Sequence, residues 1–421
     1  MINAEHKIKI LEECDLLLKE AYEYSFPKRR EKQLCYSVWK EAGIYKISTG
    51  YFIGVDWIEK KIKHTQVHPK LNFNKDREEI REVDYLKMLF GCLKHQETAK
   101  LIGDLVIVKW DDPQIEIDQK QDMLTPFIII DFLNTAKKIV KKGLKKSYYK
   151  TTNKLNGRIK GKLLIKNTMN LHLSKGNVLQ NICSYDEFGV DNLENRLLKK
   201  ALEYVKHYMM SSPLMKGASA VSEMISYIAP AFENVSSKIE VSDIKQLKSN
   251  TLFKEYNEGI RLAKMILRRF AYNISSINST KIPTPPFWID MPLLFELHVL
   301  SLLKDAFQSD VSYHFSTYGN ELDFILNSTD VKMVIDAKYI PSWKWKRDHE
   351  NIRQVSGYAR LKKVSEELGF ESDRNIDCLI IYPDIETGFQ NIDKEEFKNT
   401  LVPLKEYNGI YKLGVSIPLI V

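Results

Sequence analysis

The sequence predicts an α/β protein, α+β overall. It has a mixed α/β N-terminal region, a central helical segment and a C-terminal unit whose mixed β-sheet is flanked by helices. Three observations predict this. Strand-sized apolar runs, as at 105–110 and 331–335, alternate with longer stretches whose apolar residues recur every three or four positions. A stretch rich in Ser, Asn, Thr and Pro at 273–286 sets apart the last roughly 135 residues. The chain of 421 residues is 44% hydrophobic and 28% charged, a globular composition long enough for two or three domains of ~150 residues.

In chain order, residues 7–24 carry Ile8, Leu11, Leu16, Leu17 and Leu18 among charges and are expected to be helical. Residues 33–70 read as short strands, with Tyr45-Lys46-Ile47 and Tyr51-Phe52-Ile53-Gly54-Val55 as their apolar stretches. A helix is expected over 84–93, a strand over 105–110 and one long helix over 123–142. Pro126 fits that helix's first turns, and lysines near its end suit the helix dipole. These elements make an N-terminal domain of 1–144. The central segment, 145–272, contains Asp191-Asn192-Leu193-Glu194, which has the D-x-x-E form of a capping box, followed by a stripe through Leu197, Leu198, Ala201, Leu202 and Val205. A second long amphipathic helix is expected over 251–271. After the linker of 273–286, residues 287–421 read as helix (292–308), strands (311–317, 321–327, 331–340), helix (349–368) and strand (377–382), then further β-like sequence.

Several functions are excluded or disfavoured by composition. No apolar run reaches the ~18 residues of a membrane span. The first residues lack a signal peptide's basic-then-apolar layout, so a cytoplasmic protein without membrane partners is expected. Five widely spaced cysteines form no CxxC pair, which points away from disulfides and structural zinc. His64 and His68 lack further ligands nearby. With no GxxxxGK[ST] loop, the chain is expected to bind no nucleotide itself.

Charge is unevenly placed. The net charge is +8, but between Phe132 and Tyr185 there is no Asp or Glu at all. Lys137, Lys138, Lys141, Lys142, Lys145, Lys146 and Arg158 lie in that window with six further lysines, interleaved with Tyr148 and Tyr149. Such a segment attracts phosphate without reading sequence, and DNA is the expected partner. A solvated lysine-rich helix face followed by a polar loop is the plainer alternative.

The C-terminal strands carry the chemistry. Asn327-Ser328-Thr329-Asp330 is a turn signal between two apolar strands. If Asn327 and Asp330 close it, Asp323 lies opposite Val334 with Asp336 as its diagonal neighbour on the same face. Lys338 shares that face, being two residues on. Two carboxylates this close repel and call for a cation. Asp323, Asp336 and the backbone carbonyl of Ala337 suit Mg²⁺, with Mn²⁺ as an alternative, and Lys338 would orient water or stabilise phosphate charge. Glu296, one turn into the preceding helix, is a candidate further ligand. Gln354 and Tyr358 share one face of the following helix and could touch water or phosphate.

These motifs together resemble the McrC family, the nuclease subunit of McrBC-type modification-dependent restriction systems. Met291-Pro292-Leu293-Leu294-Phe295-Glu296 resembles the family's helix before the nuclease strands, Asp323 with Asp336-Ala337-Lys338-Tyr339 resembles the PD-(D/E)xK nuclease core, and Gln354-Val355-Ser356-Gly357-Tyr358-Ala359 resembles the Q-x-x-x-Y-A helix. The block from Cys183 to Asp191 with Asn195-Arg196-Leu197-Leu198-Lys199 resembles the family's central segment. The resemblance is strong over 180–360 and faint before 150. Leu322 stands where the motif often has Pro, and Asn351 where the family often has Asp. The resemblance implies a restriction-endonuclease-like fold in 287–421, Mg²⁺-dependent DNA cleavage in phage defence, and a McrB-like AAA+ GTPase oligomer docked on the N-terminal region and stimulated by it. A non-catalytic activator of a partner NTPase and a stand-alone DNA nuclease are the alternatives.

Overall fold

The computed structural model describes residues 9–11, 22–28, 33–41, 44–69, 71, 82–118, 122–211, 218–240, 243–244, 247, 254–275, 281–340, 349–370 and 375–420. They form mixed α/β structure in two compact units, residues 1–124 with 280–421 and residues 125–279. This division differs from the four consecutive segments expected. The helix Leu124–Lys142 opens the second unit instead of closing an N-terminal domain. The expected linker is replaced in part by the end of the helix Lys254–Ser275 and by the strand Lys281–Thr284. Residues 276–280 lie outside the described residues.

The first unit holds two four-stranded sheets near its N-terminus. One runs Lys9–Leu11, Ile44–Thr49, Leu34–Glu41, Tyr22–Ser25. The helix expected over 7–24 is therefore replaced, where described, by its two edge strands. The other runs Lys63–Val67, Phe52–Glu59, Phe287–Asp290, Val106–Val108. A strand from beyond residue 280 thus sits in the middle of an N-terminal sheet. Gly54 makes the fit: opposite Trp288, a Cβ on it would stand 2.0 Å from the Phe287 carbonyl oxygen. Trp288 is fully buried and stacks on Tyr36 with 5.5 Å between ring centroids. Its indole Nε1 donates to buried Asp56 at 2.8 Å, and Lys109 completes that carboxylate's neutralisation. The strand Ile115–Asp118 pairs with Lys281–Thr284, so Asp118 and Lys281 stand opposite each other.

The C-terminal part of this unit is a six-stranded mixed sheet. In spatial order its strands are Val311–Thr317, Asn320–Asn327, Lys332–Ala337, Asp377–Pro383, Ile410–Val415 and Val402–Pro403. The first three pair antiparallel; the third, fourth and fifth pair parallel. Leu322, Ile325, Val334, Cys378 and Ile380 pack against Ile352 and Val355 of the helix His349–Tyr358 and Val364 of the helix Lys362–Glu367. The single helix expected over 349–368 is broken at Leu361, whose extended backbone restarts it. The helix Met291–Phe307 is buried on nearly every side, between this sheet and the helix Tyr85–Cys92. Asp290 caps it, accepting from the Leu293 amide at 2.9 Å, with Pro292 in the first turn.

The second unit is not purely helical. Strand Ser147–Asn156 pairs along its whole length with Gln180–Gly189. The helix Leu193–Ser211 packs on Lys254–Ser275. Asn192, one residue later than the expected capping box, caps the first of these, its Oδ1 accepting from the Asn195 amide at 3.0 Å. Asp191 instead makes a bidentate pair with Arg196, at 2.8 and 2.6 Å. Arg196 and the amide of Ser236 hold the Asp191 carboxyl below the usual range, outweighing the burial that would raise it. Fully buried Asn195 donates to the carbonyls of Lys145 and Val190 and accepts from the Tyr256 hydroxyl. The central block thus satisfies its own polar groups, as a folding network does.

Candidate functional site

The site lies where the pairing between the second and third strands of the six-stranded sheet ends. The turn closes one residue later than expected on the first strand. Ser328 and Val331 close it, with the Ser328 amide donating to the Val331 carbonyl and the Ser328 hydroxyl accepting from the Val331 amide. Phe324 therefore pairs with Ile335, and the next step of that register sets Asp323 opposite Asp336, where Val334 was expected. The two-residue shift keeps both carboxylates on one face.

Asp323 Oδ2 accepts from the Ala337 amide at 2.8 Å. Ala337 is thus engaged through its N–H; its carbonyl is the atom expected to serve a metal. Lys338 Nζ stands 3.0 Å from Asp336 Oδ2 and donates to Gln354 Oε1 at 3.0 Å. Gln354 Nε2 in turn donates to the Tyr358 hydroxyl at 2.7 Å. The structure therefore brings together Asp323, Asp336, Lys338, Gln354 and Tyr358.

Electrostatics mark the spot. Burial, the neighbouring Asp336 and Glu296 push the Asp323 carboxyl well above its ordinary range, against Lys338 and the Ala337 amide. Burial also raises Asp336, with Glu296 adding and Lys338 opposing. Burial disfavours the Lys338 ammonium, but Asp336 and Asp323 outweigh it and hold the lysine charged. Asp336 is 1% exposed, its carboxylate oxygens are buried, and Lys338 is the cation beside them. A buried carboxylate with free lone pairs beside a second carboxylate fits a hard divalent cation. No three His, Cys, Asp or Glu groups among the described residues are placed to cage a metal by themselves. The set fits an ion that keeps much of its water, as Mg²⁺ does.

Glu296 is buried in the helix Met291–Phe307, and its charge is felt by both aspartates. Its Oε1 accepts from His314 Nε2 at 2.7 Å, and His314 Nδ1 stands 3.2 Å from Glu321 Oε1. Sequence reasoning missed His314 and Glu321. A lone histidine in a short strand gives no signal, because its position depends on a left-handed backbone, φ 53°, that periodicity does not reveal.

The basic residues lie in the second unit. Lys137, Lys138, Lys141, Lys146 and Arg158 are exposed, but two others are committed. Lys142 pairs with Glu255, and Lys145, largely buried, pairs with Glu194 at 2.5 Å. Both lysines thus have acid partners within the chain, and Lys142 stays exposed. The window without acids also gains acids across the ladder, where Asp186 stands opposite Lys150 and Glu187 opposite Tyr149. Uncompensated charge is concentrated farther along, at Lys154, Arg158, Lys160, Lys162 and Lys166. In the same 157–179 connection, Ile159, Ile165, Met169, Leu171, Val178 and Leu179 are exposed. The helix Ile165–Leu171 buries Thr168, whose hydroxyl accepts from the Ile182 amide at 2.9 Å, and turns its apolar residues outward. Among the described residues no helix is long and apolar enough to cross a membrane, and Cys35, Cys92, Cys183 and Cys378 are buried free thiols.

Comparison with known proteins agrees with the residue pattern. A family model described as the McrBC 5-methylcytosine restriction system component matches residues 49–360. No curated protein matches. Two solved structures are similar. One is a refined half-complex from a tetradecameric assembly of Thermococcus gammatolerans McrB AAA+ hexamers with bound McrC, 15% identical, covering 90% of this chain and 80% of that chain, with a TM-score of 0.35. The other is a cryo-EM structure of the Thermococcus gammatolerans McrBC complex, 16% identical, covering 63% and 69%, with a TM-score of 0.26. At those TM-scores neither bears on the site. The family match takes in Glu296, Asp323, Asp336, Lys338 and Gln354 and spans most of the sequence, so the chain belongs to the family of McrBC 5-methylcytosine restriction system components.

Proposed function

We propose that this chain is the nuclease subunit of a McrBC-type phage-defence system, hydrolysing DNA phosphodiesters with Mg²⁺ in a PD-(D/E)xK site. The single observation that carries this is Asp336. A fully buried carboxylate that shares one lysine with a second carboxylate is left with surplus negative charge, which is costly unless a further cation completes it. Asp323, Asp336 and the Ala337 carbonyl would hold the ion, with Glu296 in reserve, and Mn²⁺ could replace Mg²⁺. When bound, the ion supplies charge for the phosphate and acidifies a water. Lys338, held by Gln354, orients the attacking water and offsets the charge that develops on phosphorus. Tyr358, anchored through its hydroxyl to Gln354, lines the approach of the DNA strand. Exposed lysines and Arg158 of the second unit track the backbone.

Family membership supports a McrB-like AAA+ GTPase as the partner and a cytoplasmic setting. The surface that suits a protein partner is the 157–179 connection, where apolar side chains stand outward among lysines. A scaffold without catalysis would have no use for Asp336, Lys338 and Gln354 in this arrangement. The test is Mg²⁺-dependent cleavage of modified DNA by the chain purified with a McrB-like AAA+ protein. Asp336→Ala and Lys338→Ala should each lower the rate at least about 100-fold, in line with losing a principal electrostatic group. Cleavage at the parental rate by both variants would overturn the nuclease reading and leave the activator role.

A further inference from the structure

We propose that His314 is a positioning residue, which fixes the Glu296 carboxylate beside the Asp323–Asp336 pair so that Glu296 can serve the metal. The inference rests on the nuclease reading and deepens it. The strand Val311–Thr317 pairs with Asn320–Asn327 on either side of His314, Tyr313 with Phe324 and Phe315 with Leu322. His314 therefore occupies the place across from Asp323, on the side away from Asp336. The three residues sit in one row across three strands.

Consecutive strand residues normally point to opposite faces. Here the rings of Tyr313 and His314 stack, with centroids 3.8 Å apart and planes 19° from parallel. The left-handed φ of 53° at His314 is what breaks the alternation. A residue with a Cβ adopts that conformation only against steric strain. The strand incurs it where the imidazole gains two carboxylate neighbours: Glu296 Oε1 at 2.7 Å from Nε2, and Glu321 Oε1 at 3.2 Å from Nδ1. Strain that persists inside a sheet beside reactive groups is held there by its surroundings. Glu321 steers the ring, and the ring holds Glu296. Without it, Glu296 would lack the only hydrogen-bond partner seen for its carboxylate among the described residues, while standing close enough to raise both aspartates.

The experiment separates holding Glu296 from merely shaping the strand. Glutamine places an amide nitrogen close to where imidazole Nε2 sits, but accepts the left-handed backbone less readily. Asparagine accepts that backbone well but is too short to reach Glu296. Mn²⁺ binding to the full chain is measured by titration calorimetry. His314→Ala should weaken it about 10–100-fold, the usual loss for a group that orients a ligand. His314→Gln should recover most of the loss and His314→Asn little. In a Glu296→Gln background, His314→Ala should cost nothing further. Rescue by asparagine rather than glutamine, additive losses in the double variant, or tighter Mn²⁺ binding by His314→Ala would each overturn the proposal. Asp336→Ala in the same titration separates the two readings. If it binds Mn²⁺ like the parent, the metal site itself is wrong; if it alone loses binding, only the role of His314 is.

Discussion

At the residue scale, Asp336 ties the proposed chemistry to stability. Its carboxyl and that of Asp323 are raised by burial and by the surrounding acids. The folded chain therefore binds these protons more tightly than the unfolded chain does. By linkage, this contribution is neutral below the unfolded carboxyl pKa of about 4 and becomes a growing penalty as pH rises through the folded values. Asp336→Asn should accordingly raise the stability of protein in EDTA at pH 7–8 by about 1–3 kcal/mol, with little change at pH 4, while abolishing cleavage. Mg²⁺ should stabilise the parent far more than the variant. Melting curves across pH, with and without EDTA, provide the measurement; a variant less stable than the parent at pH 8 in EDTA would contradict it. Most of this centre is legible in the sequence, because acids in short apolar strands stand out. The register is not. Ser328 has a hydroxyl that answers the Val331 amide, and that local bond moved the turn by one residue on each strand.

At the element scale, the helix Leu193–Ser211 is held at its start by Asn195, which bridges Lys145, Val190 and Tyr256. Asn195→Ala removes three hydrogen bonds and leaves a buried hydroxyl and two carbonyls without this partner. Urea unfolding of the full chain should show a loss of about 2–3 kcal/mol, and a loss below about 0.5 kcal/mol would show that water or neighbours replace the amide. The stripe through Leu197, Leu198, Ala201 and Leu202 made this helix predictable. The ladder before it was hidden. Ser147–Asn156 is a strand of Lys, Thr, Asn and Tyr whose partner begins at Gln180, and neither half buries enough apolar surface to announce itself. In the same way, the lysines at 142 and 145 look free in sequence because their acids, Glu255 and Glu194, lie far along the chain.

At the scale of the whole molecule, the unit of 125–279 is inserted into the unit that carries the candidate site. Asp118 and Lys281 stand opposite each other in a ladder, so the chain leaves and returns through one pair of strands. Replacing 119–280 by a short Asn-Gly turn should therefore leave a folded protein that melts within about 5 °C of the parent. It should still bind Mn²⁺ through Asp323 and Asp336, but lose stimulation of the AAA+ partner. An unfolded product by circular dichroism would show that the site unit depends on the insertion. The overall class, the strands that carry Asp323 and Asp336 and the buried helix before them were readable from periodicity. The insertion was not, since its signature is the pairing of strands far apart in sequence and not any feature of the stretch between them.

The strand Phe287–Asp290 carries a consequence for synthesis. It is the middle strand between Phe52–Glu59 and Val106–Val108, and it leads directly into the helix bearing Glu296. A ribosome that has finished Val108 must add roughly 180 more residues, about 10–35 s of translation, before that strand exists. Until then the sheet has two unfilled edges and the three acids of the site have not been made. The nascent chain thus carries the whole insertion before Glu296, Asp323 and Asp336 exist, and a chain truncated anywhere in between lacks every acid of the candidate site.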